Sequence, residues 1–224
     1  MDKKNVLKRA LVALIGLIFC GLGVGLFLYS GLGVDPASVF ELGIANVCHI
    51  SYGTSSALIN VVILVIVFFI DRKYINISSL IAIVGIGYTA DFTSMFLDYL
   101  NLGELNLFIK CLMILVGLFI MGIGIATYIR ADLGVGAIDL VSEIISDKTH
   151  FQYRLIRIVI DVTFVVVGFI LGGTVGVGTI VAAFLTGPTV QLVRPGVFKV
   201  VDKFIGRKSE NGEGKNAGKE ESNT

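Results

Sequence analysis

The sequence predicts an all-α membrane protein: six transmembrane helices built as two inverted three-helix repeats, each with a short amphipathic helix, and both termini cytoplasmic. Three observations predict it. Of 224 residues, 55% are hydrophobic and 16% charged, with a mean hydropathy of +0.88. Charge this sparse cannot cover the surface of a soluble domain of this size. The chain also repeats itself. Leu32-Gly33-Val34-Asp35 returns 101 positions later as Leu133-Gly134-Val135-Gly136. At the same offset Gly16, Leu17, Gly21 and Gly23 fall on Gly117, Leu118, Gly122 and Gly124, and His49, Tyr52 and Asn60 on His150, Tyr153 and Asp161. Finally, lysine and arginine concentrate in alternate connections.

A spanning helix needs about 20 mostly apolar residues to cross a hydrocarbon core about 30 Å thick. Six runs meet this: residues 8–30, 54–71, 76–97, 107–129, 152–172 and 175–194. The first follows Lys3, Lys4, Lys8 and Arg9 in the manner of a signal peptide. It is longer than the usual apolar region of about 7–15 residues, and it matches the run around Gly117, so it is read as a retained span. Asp71-Arg72-Lys73 divides the second run from the third, Asn101-Leu102-Gly103-Glu104 the third from the fourth, and Gly172-Gly173-Thr174 the fifth from the sixth. The repeats are therefore placed at 1–100 and 101–208, with a polar tail at 209–224 whose composition predicts disorder. Val197 to Ile205 is expected to form a separate short surface helix.

Six spans put the N-terminus, Arg72-Lys73, the segment with Arg130, Lys148, Arg154 and Arg157, and the C-terminus with Arg194, Lys199 and Lys203 on one side. The other connections are nearly free of basic residues, so the basic side is cytoplasmic. Three spans per copy is an odd number. The copies must then cross the bilayer in opposite senses, as in many secondary transporters.

The stretch after Asp35-Pro36 places Val39, Phe40, Ile44 and Val47 among Ser38, Glu41 and Asn46, and its copy places Ile138, Val141, Ile144 and Ile145 among Asp139, Ser142, Glu143 and Ser146. Asp35 suits an N-cap and Pro36 the first helical turn. Helices over about 35–47 and 137–147 reach about 18 Å at 1.5 Å per residue, too short to span. Each lies in the interface or dips into the bundle as a re-entrant half-helix; both readings stand.

Chemistry is sought first at polar groups that lipid makes expensive. Asp91 has no basic residue within a helical turn and is a candidate proton or substrate site, and Asp161 is another. Asp161 also stands four residues after Arg157, which makes a structural ion pair the competing role. Asn60, Gln191 and Thr179 are candidate polar contacts of a cavity. Gly187-Pro188 is expected to break the last span at that cavity, because proline removes a backbone donor. Gly16, Gly21 and Gly23 with Gly117, Gly122 and Gly124 are expected to let the first and fourth spans cross closely. Neither His49 nor His150 has a partner at metal-ligand spacing, and no nucleophile–base set, P-loop or dinucleotide fingerprint occurs. The three cysteines, Cys20, Cys48 and Cys111, include no CxxC. No metal or cofactor is expected, and no enzyme activity. A net charge of +1 implies no nucleic-acid partner.

The second copy carries Ala131-Asp132-Leu133-Gly134-Val135-Gly136-Ala137-Ile138-Asp139, then Arg157-Ile158-x-x-Asp161, Gly168-x-x-Leu171-Gly172-Gly173-x-x-Gly176-Val177-Gly178-Thr179 and Gly187-Pro188. It resembles the YczE/YitT-type bacterial integral membrane proteins over nearly the whole chain before the tail. The resemblance implies a multi-pass protein of the bacterial plasma membrane from a largely uncharacterised family. It supplies no substrate and no site residues, and the loop proline common in that family survives here only as Pro36. The function expected is a small secondary transporter of an unidentified small molecule. The alternative is a substrate-binding or scaffold subunit acting with a partner protein, with a homodimer also open.

Overall fold

The computed structural model describes residues 3–70, 77–101, 103, 105–132 and 136–206. The polar tail, the 71–73 loop and Leu133-Gly134-Val135 lie outside the described residues. The described residues form eight helices: α1 (Lys3–Ser30), α2 (Pro36–Cys48), α3 (Tyr52–Ile70), α4 (Ile77–Tyr99), α5 (Leu107–Ala131), α6 (Ala137–Thr149), α7 (Tyr153–Ile170) and α8 (Val177–Ile205). A long helix, a 13-residue helix and two further long helices thus occur twice in succession. By length and composition four are apolar enough to cross a membrane: α1 from Val6, α3, α5 and α8. α7 is 18 residues long and carries Arg154, Arg157 and Asp161. Phe92, Met95, Phe108 and Phe184 are exposed, an outer surface that suits lipid and not water.

α1 and α5 form the centre. A Cβ built on Gly16 would stand 2.8 Å from the Gly124 carbonyl oxygen, and one on Gly23 would stand 2.6 Å from that of Gly117. Only glycine permits this approach. Gly16 and Gly23 are the 101-offset mates of Gly117 and Gly124, so the two contacts exchange under the repeat. The outer helices follow suit. α4 packs on α1 where Gly21 meets Thr89, and α8 packs on α5 where Gly122 meets Thr189. The short helices cross over: α2 packs against α7, and α6 against α3.

α2 is held inside this assembly. Pro36, Ser38, Val39, Glu41, Gly43 and Ala45 are buried, and a Cβ on Gly43 would stand 2.6 Å from the Gly168 oxygen of α7. His49, at φ 55°, ends α2, and His150, at φ 58°, ends α6; in each case the left-handed residue gives its N–H to the carbonyl four back. The two histidines are helix C-caps.

The last span departs from expectation. α8 runs unbroken through Pro188 and Pro195 to Ile205, so Gly187-Pro188 does not end the helix and Val197–Ile205 is not a separate one. Two features anchor the far end. Arg130 on α5 grips Asp202 with two hydrogen bonds of 2.7 and 2.8 Å, and Arg130 and Arg194 both lie over the Phe198 ring.

Enlarging Gly124 forces α1 off α5. Gly124→Val is expected to destabilise the folded protein by about 1–3 kcal/mol, as overpacking does. Gly196→Ala, where a Cβ meets nothing within 4 Å, should be neutral or slightly stabilising, since alanine suits a helix better. Thermal unfolding of the purified variants in detergent checks both signs.

Candidate functional site

The polar groups converge at the start of α2. Asp35 is extended (φ −62°, ψ 158°) and caps the helix, its Oδ2 accepting the Ser38 N–H at 3.3 Å. The Ser38 hydroxyl donates to Asp35 Oδ1 at 2.6 Å. The turn at His49 then folds α3 back on α2, so its first residue, Tyr52, reaches under the short helix. The Tyr52 hydroxyl donates to Glu41 Oε2 at 2.7 Å and lies 2.9 Å from Ser38 Oγ. The Ser55 hydroxyl donates to the Glu41 carbonyl at 2.6 Å and secures the same junction. Glu41 is 4% exposed. It belongs to the short helix and not to a span. Its burial pushes the carboxyl from the usual carboxylate range up to about 7, and the nearby Asp35 pushes the same way, against the hydrogen bonds from Tyr52 and Ser56.

These residues face a cavity of about 510 Å³, within the range of about 300–1,000 Å³ that accommodates small organic ligands. The first copy contributes Asp35, Ser38, Glu41, Tyr52, Ser56 and Asn60. The second contributes Tyr128, Tyr153, Arg157, Thr186 and Gln191, with Gly136 and Gly187. Leu17, Val24, Ile86, Met121 and Ile125 supply the apolar lining between them. Both copies of the repeat therefore contribute to one space within a single chain.

The structure divides the residues singled out from sequence. Asn60, Gln191 and Gly187 line the cavity, and Asn60 Nδ2 donates to the Ser56 carbonyl at 2.8 Å. Pro188 is exposed and is not among the lining residues. Arg157 lines the cavity while its Nε stands 3.1 Å from Asp161 Oδ1. Asp161 and Thr179 sit apart from the cavity, beside a smaller pocket of about 250 Å³. Thr179 belongs to the junction where the Gly178 N–H donates to the Leu32 carbonyl at 2.9 Å. Asp91 does not reach the cavity. Its Oδ2 accepts the Gly53 N–H at 2.9 Å, satisfying one of the unpaired donors at the start of α3. Among the described residues no group of three or more His, Cys, Asp and Glu could hold a metal ion.

Asp35, Ser38, Glu41, Tyr52, Ser56, Tyr128, Tyr153 and Thr186 line the cavity although sequence reasoning did not assign them to the site. A signal existed: Asp35, Ser38 and Glu41 are spaced by three and so share one face of a helix.

A family model described as a family of unknown function, DUF6198, matches residues 7–195. The chain belongs to that family. Among curated proteins this DUF6198 member is 30% identical over 184 residues to an uncharacterized protein of Haemophilus influenzae, covering 82% of each chain. It is 26% identical over 208 residues to the uncharacterized membrane protein YczE of Bacillus subtilis, covering 92% of this chain and 95% of the relative. It is 28% identical over 184 residues to the uncharacterized protein YyaS of the same organism, covering 81% and 90%. These likenesses support the YczE-type membrane family to which the second copy's motifs point. No solved structure matches the chain.

Because Asp91 caps α3 and stands outside the cavity, Asp91→Ala is expected to cost about 0.5–2 kcal/mol, as loss of a helix cap does. Thermal unfolding should report that loss, while maleimide labelling of a cysteine placed at position 60 should be unchanged.

Proposed function

We propose that this protein is a small secondary transporter of the bacterial plasma membrane. In this reading all six long helices cross the bilayer, both termini are cytoplasmic, and the two halves run in opposite senses. The observation that carries it is the cavity: polar side chains from both copies converge on one space beside the central α1–α5 pair. The exchanged contacts of Gly16 with Gly124 and Gly23 with Gly117 support a two-fold relation between the halves. The crossing of α2 onto α7 and α6 onto α3 supports it too. The burial of α2 favours a re-entrant half-helix over one lying in the interface, and discontinuous helices are what transporters use to build midplane sites. Arg157 turns toward the cavity and toward Asp161, as charges on a spanning helix do when protein or water can take them.

Transport then consists of rocking one half against the other about the glycine contacts, which opens the cavity to each side in turn. That residues of both copies line the cavity within one chain supports a site formed by a single chain. Asn60 from the first copy and Gln191 from the second hold the ligand's polar groups, and the apolar lining takes its body.

Alternating access is testable without knowing the substrate. In a chain whose Cys20, Cys48 and Cys111 are changed to alanine, Asn60→Cys and Gln191→Cys are each exposed to a membrane-impermeant maleimide in right-side-out and inverted vesicles. Both positions should label from both sides. Labelling from one side alone would identify a binding or scaffold subunit and reject transport.

A further inference from the structure

Three short oxygen–oxygen contacts link Asp35 to Glu41: Asp35 to Ser38 at 2.6 Å, Ser38 to Tyr52 at 2.9 Å, and Tyr52 to Glu41 at 2.7 Å. Each needs a hydrogen. Ser38 and Tyr52 have one hydroxyl hydrogen apiece. With both carboxyls ionised, Ser38 gives its hydrogen to Asp35 and Tyr52 gives its own to Glu41. The contact between the two hydroxyls is then left with none. A third hydrogen completes the chain. With it on Glu41, the buried end, every donor points the same way: Glu41 to Tyr52, Tyr52 to Ser38, Ser38 to Asp35.

We propose that the Asp35–Ser38–Tyr52–Glu41 chain holds one exchangeable proton, and that the cavity binds a small organic cation whose arrival expels it. This deepens the transport reading and rests on it. The exchange balances: a Glu41 carboxylic acid becomes a carboxylate, one proton leaves, and one monovalent cation enters. The lining selects an organic cation over a bare metal ion, because Leu17, Val24, Met121 and Ile125 need an apolar body and Tyr128 and Tyr153 add aromatic side chains to the lining. It also disfavours an anion. Among the described residues the one basic side chain lining the cavity, Arg157, is engaged by Asp161, so the two carboxyls Asp35 and Glu41 set the charge.

The charged and titratable groups around Glu41 are few. Asp35 lies on its own segment, Tyr52 on α3, Tyr128 on α5, and Tyr153 and Arg157 on α7, with Asp161 behind Arg157; α8 contributes the neutral Thr186 and Gln191. Ionising Glu41 therefore adds a second negative charge beside Asp35, which a bound cation offsets. The burial that holds the Glu41 value near 7 is consistent with release in the neutral range. Protonation competes with the ligand, so affinity is full above that value and falls as pH drops below it. The fall is about tenfold per pH unit when one proton is displaced.

The test uses the purified full chain in detergent and benzyltrimethylammonium, a quaternary cation with no proton of its own, with neopentylbenzene as its uncharged isostere. Equilibrium binding is measured across pH, and proton release is read with an indicator dye in weak buffer. The expected result is tight binding above the Glu41 value and about a tenfold loss per pH unit below it. About one proton should be released per cation in that acidic range, and the isostere should bind weakly. Glu41→Gln, whose amide still donates to Tyr52, should remain folded, release no proton and bind weakly at every pH. Tyr52→Phe removes the hydrogen bond that favours the ionised carboxyl, so the midpoint should move upward. That variant carries the test if Glu41→Gln does not fold. Absence of cation binding, pH-independent binding, equal binding of the isostere, or a pH dependence that survives Glu41→Gln would each overturn the proposal. If two-sided cysteine labelling persists in any of those cases, the ligand assignment fails and transport stands; one-sided labelling rejects transport itself.

Discussion

The close approach of α1 to α5 is the constraint on which the remaining structure depends. Lipid tails are as apolar as leucine, so burial gives two helices in a bilayer little reason to associate; contact must come from packing. Glycines at 16, 23, 117 and 124 let the two backbones meet directly. Fixing that pair turns the other faces of the same helices to a common side. Leu17, Cys20 and Val24 of α1 fall on one face, and Met121, Ile125 and Tyr128 of α5 on another; these six residues line the cavity. The central contact and the cavity are two sides of one pair of helices. The contact is glycine because nothing else fits, and the lining is bulky because it bounds a space.

The architecture was largely legible in the sequence, and for physical reasons. The six long apolar runs coincide with six long helices, and the two amphipathic stretches with two 13-residue helices. Hydrophobic run length responds directly to the bilayer, and the 101-residue offset reappears in the two short helices, 36–48 and 137–149. The end of α8 was misread because proline argues locally for a break. A proline forfeits one hydrogen bond, and the surrounding turns hold the helix through Pro188 and Pro195.

The site was less legible. Asp91 looked unpaired because a search along the sequence looks for a basic side chain, whereas its partner is a backbone N–H of a different helix. Glu41 looked like the solvent-facing residue of an amphipathic helix. It is buried because α2 lies between α3 and α7, and its partner Tyr52 is brought back to it by a left-handed turn at His49. A histidine gives a weaker local warning of that conformation than a glycine would have done. Asn60 and Gln191, which line the cavity, stand out in the sequence because a carboxamide in an apolar run is costly wherever the helix is placed.

The two copies share a geometry but not a chemistry. Where the first copy has Glu41, the second has Ser142, whose buried hydroxyl makes no hydrogen bond among the described residues. Where the first caps its short helix with Asp35, the second has Gly136, which offers no side-chain cap. The relation reverses one helix later. Ser56 and Asn60 form a neutral pair on α3, and their mates on α7 are the ion pair Arg157 and Asp161. Each copy therefore places its charge where the other is neutral. The acids of the first copy face the cavity from α2, whereas the acid of the second is taken up by its own arginine. Rocking two such halves against each other would move a cavity with near-symmetric walls and a one-sided charge. Symmetric packing would make its two end states close in energy, and the acidic wall would let the exchange of ligand for proton decide between them.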